Sequence, residues 1–147
     1  MNVRTGTRPT ATALPTAADV AFATTTVVLT LVTAGIHAYL GGLLFLTNAA
    51  GYSTLALALI VPIPLARRYR WVVRLALLGF TLATMAGWLA FGARIPLAFL
   101  DKGIEALLVA FVIVQLYRLD GGPLEAIRDL FRLGLDVLGR LTGRAAR

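Results

Sequence analysis

VAFATTTVVLTLVTAGIHAYLGGLLFLTNAAGYSTLALALIVPIPLA, residues 20 to 66, runs for 47 residues without a formal charge. A membrane crossing takes about 20 apolar residues, so this stretch alone has room for two. Gly41-Gly42 divides it near the middle, where a short reversal needs positive φ and only glycine adopts that freely. The reading is a helical hairpin, with one span at about 20–39 and a second at about 43–61. Pro62 and Pro64 end the second helix, because proline has no N–H to give and clashes with the preceding turn.

The rest of the chain continues the pattern. Arg67, Arg68, Arg70 and Arg74 form a basic segment with Tyr69 and Trp71, aromatics suited to the headgroup level. A third span follows at about 72–91. Pro96 then stands where a helix start tolerates it, and a fourth span runs over about 97–117. The expected architecture is an all-α polytopic membrane protein, a four-transmembrane-helix bundle spanning 19–119. Residues 1–18, rich in Thr, Ala and Pro, read as a disordered cytoplasmic tail. A signal peptide fits less well, because the first apolar stretch exceeds a 7–15-residue core and no small-residue cleavage site closes it.

Residues 120–147 read as an amphipathic cytoplasmic helix and a basic tail. Leu124, Ile127, Phe131, Gly134, Leu138 and Leu141 recur at three- and four-residue steps, with Glu125, Arg128, Asp129, Arg132, Asp136 and Arg140 opposite. That polar face suits a helix lying on the membrane or docked beneath the bundle.

Composition agrees. The 147 residues are 59% hydrophobic and 14% charged, against about 25% charged in soluble domains, and mean hydropathy is +0.82. Without cysteine, disulfides and thiolate metal sites are excluded. The net charge of +7 does not point to nucleic acid, because the arginines mark the ends of apolar runs. With both termini cytoplasmic, twelve of the fourteen Lys and Arg residues fall inside and only Arg94 and Lys102 outside. The positive-inside rule selects that orientation, that of a multi-pass cell-membrane protein.

Ionisable residues inside a span are costly and invite a functional reading. Asp101 and Glu105 are four apart and share a face of the fourth span, and Lys102 is three from Glu105. On the first span Thr26, Thr30, Thr33 and His37 also share a face. Asn48 falls at a depth comparable to His37, and Tyr52 is expected near Thr30. The ligand or ion candidates are therefore His37, Asn48, Asp101, Lys102 and Glu105, converging in the outer third with Arg94 capping them. The plainer reading beside it is packing glue and a structural pair, Lys102–Glu105 or His37–Glu105. Gly79, Ala83, Gly87 and Ala90 form a small-residue ridge for helix packing, expected inside the bundle before an oligomer contact.

No metal site is expected. The chain has one histidine, and His37 with Asp101 and Glu105 makes a poor match to a catalytic zinc set. No phosphate loop, nucleophile elbow or HExxH appears, so no cofactor and no enzyme activity are expected.

Ile36-His37-Ala38-Tyr39-Leu40, the run Leu44-Phe45-Leu46-Thr47-Asn48-Ala49-Ala50-Gly51, and Asp101-Lys102-Gly103-Ile104-Glu105 together resemble small four-span prokaryotic integral membrane proteins of unknown function. The resemblance covers less than a quarter of the chain and implies the four-span fold. Those proteins carry a longer polar insert where Gly41-Gly42 stands here. The leading functional expectation is a non-catalytic accessory or scaffold component of a membrane assembly. The alternative is a small transporter, channel or sensor subunit with a proton- or cation-responsive Glu105/His37 site. The partners expected are the lipid bilayer and either another membrane protein or a second copy of the chain.

Overall fold

The computed structural model describes residues 16–64 and 68–141; of the tail expected over 1–18, residues 1–15 lie outside them, as does the basic tail over 142–147, whereas Ala17 and Ala18 already belong to the first helix. Among the described residues five long helices follow one another: α1 (Ala17–Leu40), α2 (Leu43–Ile60), α3 (Arg70–Phe91), α4 (Pro96–Asp120) and α5 (Pro123–Leu141). No strand occurs among the described residues.

Local chemistry sets the boundaries. Helix α1 starts at Ala17, three residues before the expected span. Thr16 caps it by accepting from the Asp19 amide, and the Asp19 carboxylate accepts from the Thr16 amide in return. At its other end Gly41 and Gly42 take φ of 68° and 80° and reverse the chain. Pro96 occupies the first turn of α4, and α4 continues through Asp120 before Gly121, at φ 80°, ends it in the left-handed region.

The first four helices pack side by side in a ring, α1 against α2 and α4, and α3 against α2 and α4; α5 lies across α3 and α4. Tyr52, Leu77, Leu108, Val112 and Leu116 form the apolar centre. Polar residues are buried with them, including Thr26, Thr30, Thr33, Thr81, Asp101, Glu105 and Gln115. Large apolar side chains cover the outside, among them Leu57, Leu89 and Leu107. Such a surface is matched to hydrocarbon rather than water.

Helices α1, α2 and α3 are long and apolar enough to cross a membrane. Helix α4 is the longest, at 25 residues. Asp101, Lys102, Glu105, Arg118 and Asp120 keep it out of that class by charge, not by length, so composition identifies three spans where the sequence reading expected four.

Arg74, expected among the charges of a basic loop, is instead buried in the second turn of α3. Its Nε and Nη2 donate to the two oxygens of Asp120 at 2.8 and 2.9 Å. On α5, Ala126 is buried and Leu133 packs on the core, while Leu124, Phe131 and Leu135 remain exposed.

Candidate functional site

One end of the ring holds the α1–α2 turn and the α3–α4 loop, and there the sequence-derived candidates meet. The shared face of α1 turns inward: Thr26, Thr30, Thr33 and His37 are all buried. Thr26 and Thr30 donate to the carbonyls of Phe22 and Thr26, one turn back, the usual way for a hydroxyl to be satisfied in a helix. Thr33 reaches across to α4 instead and donates to Asp101 Oδ1 at 2.9 Å.

His37 Nδ1 lies 2.9 Å from the Thr33 carbonyl. A carbonyl only accepts, so Nδ1 carries the hydrogen and Nε2 of the neutral ring presents a lone pair. The same Nδ1 stands 3.8 Å from Asp101 Oδ1. Phe45 and Tyr52 pack on the ring, with centroids at 5.9 and 5.6 Å.

On α4 the four-residue step puts Asp101 and Glu105 on the buried face, and Lys102 closes the gap between them. Its ammonium lies 3.1 Å from Asp101 Oδ2 and also donates to Glu105 Oε2. The other Glu105 oxygen accepts from the Tyr52 hydroxyl at 2.8 Å and from Thr84 Oγ1 at 3.0 Å. Tyr52 and Thr84 are themselves 2.8 Å apart. Two helices, α2 and α3, thus supply donors to a carboxylate on α4.

His37, Asp101 and Glu105 each offer a ligand atom within 4.8 Å of the others. That set is compact enough for a cation. Lys102, however, already supplies a positive charge to both carboxylates, and the chain has no second histidine. The arrangement is an internal salt-bridge network before it is a metal centre.

A cavity of about 550 Å³ opens beside the network. His37, Asp101, Lys102 and Thr84 contribute its polar lining, and Phe45, Phe80 and Trp88 contribute aromatic walls. Asn48 lines the cavity but does not join the hydrogen-bonded cluster.

Other candidates are placed differently from the sequence reading. Arg94 does not cap the cluster. It folds back on the end of α3, stacking 4.2 Å over the Trp88 ring and donating to the carbonyls of Trp88 and Leu89. Tyr52 bonds Glu105 and not Thr30, because Thr30 is satisfied within its own helix. The ridge of Gly79, Ala83, Gly87 and Ala90 is exposed, and a Cβ at Gly79 or Gly87 would meet open space. It is therefore not an internal seam. Phe80 instead presses on Gly51 of α2.

Polar contacts that the sequence did not announce include those of Gln115, Arg74 and Arg118, the last donating to Asp19 at 2.9 Å. Gln115 donates to Thr26 Oγ1 and to the Phe22 carbonyl, and Arg74 pairs with Asp120. Gln115 had a visible signal, as a lone amide inside an apolar run. Arg74 and Asp120 had one too, since an up-and-down topology brings both to the same end. No protein-family model, no curated protein and no solved structure matches this chain.

Proposed function

We propose that this chain is a four-span integral membrane protein with both termini cytoplasmic. It has no catalytic chemistry of its own, and His37, Asp101, Lys102 and Glu105 form a proton- or cation-responsive site in its outer half. A small sensor, channel or transporter subunit is the corresponding role. Helix α4 supports the fourth span: its 25 residues reach about 38 Å, beyond a hydrocarbon core of about 30 Å. Its costliest charges, Asp101 and Glu105, face protein rather than lipid. The distribution of Lys and Arg supports the orientation.

The observation that carries the site is its charge balance. Two buried carboxylates share one ammonium and a neutral imidazole, so a single proton or monovalent cation changes the net charge from −1 to 0 in a low-dielectric place. The test is reconstitution in liposomes, with proton and alkali-cation flux followed alongside amide exchange of α1 and α4 from pH 5 to 8. The expected result is a pH-dependent change in flux or in protection near His37, reduced at least tenfold in Glu105→Gln. Identical pH profiles in the two proteins, with no flux in either, would reject the reading.

A role as an accessory component is the second reading, supported by the exposed Gly79–Ala90 ridge and the exposed apolar side of α5. Quantifying what co-purifies with a tagged copy from its native membrane tests it. A stoichiometric second protein favours it, and a pure single species removes its support.

A further inference from the structure

We propose that the cavity beside the charge cluster binds a neutral lipophile bearing a hydroxyl group, with the hydroxyl held by His37 Nε2. The inference rests on the membrane reading given above, but not on the cluster's response to protons. Three observations carry it.

The first is an unused acceptor. His37 is 98% buried and lines the cavity, with its Nδ1–H committed to the Thr33 carbonyl. Nε2 forms no hydrogen bond among the described residues. A hydroxyl in the cavity can donate to that lone pair. Asn48, which also lines the cavity and whose amide joins no side-chain hydrogen bond among the described residues, offers the hydroxyl oxygen a donor in return.

The second is electrostatic. Lys102 is spent on Asp101 and Glu105, and Thr33 on Asp101. An anionic head entering here meets the Asp101 carboxylate, and a cationic head meets the Lys102 ammonium. Either also loses its hydration. A neutral hydroxyl, which both donates and accepts, avoids both penalties.

The third is shape and access. At about 550 Å³ the cavity lies within the ordinary range for small-molecule sites. Phe45, Phe80 and Trp88 suit a ring or a short apolar chain, and Leu44 and Phe91 at the rim are 69% and 94% exposed. An apolar rim admits molecules already dissolved in the bilayer.

The probe is 3-bromo-5-pentylphenol, added to the full chain in phosphatidylcholine nanodiscs, with bromine quenching of Trp88 as the signal. Its methyl ether, the matching benzoate and the matching benzylamine are the controls. Saturable quenching by the phenol is expected, with each control at least tenfold weaker. His37→Phe keeps an aromatic ring against Phe45 and Tyr52 and should erase the preference for phenol over ether. Ala83→Phe fills the cavity without touching the charge cluster and should abolish saturable quenching by every probe. Linear quenching that reflects bilayer partition alone overturns the proposal. So does equal affinity for phenol and ether in the unmodified chain, tighter binding of a charged control, or indifference to Ala83→Phe. Because the pH and flux measurements contain no phenol, a protein that responds to pH but shows no saturable quenching keeps its proposed function and loses this ligand.

Discussion

Arg74 and Asp120 close one end of the α3–α4 seam as a one-to-one pair, two parallel hydrogen bonds between a guanidinium and a carboxylate that are each about 10% exposed. At the other end of the same seam Lys102 is divided between Asp101 and Glu105, and hydroxyls from three other helices supply the remaining donors. The first arrangement is complete in charge and geometry. The second is short of one positive charge, holds an imidazole with a free lone pair, and lies against a cavity. Buried charge therefore does two jobs in one small protein. The matched pair fixes how α3 and α4 meet, whereas the unmatched cluster keeps a capacity to take up a proton, a cation or a hydrogen-bond donor.

The sharpest way to break this contrast is to remove one cation from each end. Arg74→Leu leaves Asp120 buried without a partner, and a broken buried pair costs about 3–5 kcal/mol. Thermal unfolding in nanodiscs should show that loss, and the Arg74→Leu/Asp120→Leu double variant should regain most of it. A single variant that loses no more than an exposed ion pair would place the two ends in the same category.

Lys102→Met is expected to cost less, about 2–3 kcal/mol at neutral pH. Glu105 keeps Tyr52 and Thr84, and Asp101 keeps Thr33. Two carboxylates then face each other without the ammonium, and Lys102→Met/Glu105→Gln, which removes one of the two charges, should regain most of the loss. A double variant no more stable than Lys102→Met would remove the distinction between a closed pair and an open cluster.

How far the sequence carried the argument differs between face and rotation. Periodicity placed Thr26, Thr30, Thr33 and His37 on one face of α1 and Asp101 with Glu105 on one face of α4, and the structure buries all six. The turn at Gly41-Gly42 was legible because its φ values are ones that side chains resist. Periodicity does not say how far each helix turns about its own axis once neighbours pack. The Gly79–Ala90 ridge looked like a seam, yet α3 is rotated so that Phe80 and Thr84 face α2 and α4 while the ridge stays exposed, with Ala83 and Gly87 lining the open cavity rather than a helix contact. The rotation of α2 likewise gives Tyr52 to Glu105 rather than to Thr30. Contacts across helices, including Arg74–Asp120, depend on that choice, which no single helix encodes.

The smallest effect tests that rotation directly. A Cβ added at Gly51 would lie 2.6 Å from Phe80 Cζ and 3.1 and 3.2 Å from its Cε atoms, so the ring has to move. Overpacking of this kind costs about 1–3 kcal/mol, and alanine recovers about 1 kcal/mol of helix propensity over glycine. Gly51→Ala should therefore lower stability by about 1 kcal/mol. Phe80 packs edge-on against Tyr52, with centroids 4.9 Å apart, and also lines the cavity. Its displacement narrows the cavity without altering any charge. The variant should keep the pH profile of the unmodified chain and weaken saturable quenching by 3-bromo-5-pentylphenol. A pH profile that shifts along with the quenching would mean that cavity and cluster act as one unit, joined through Tyr52.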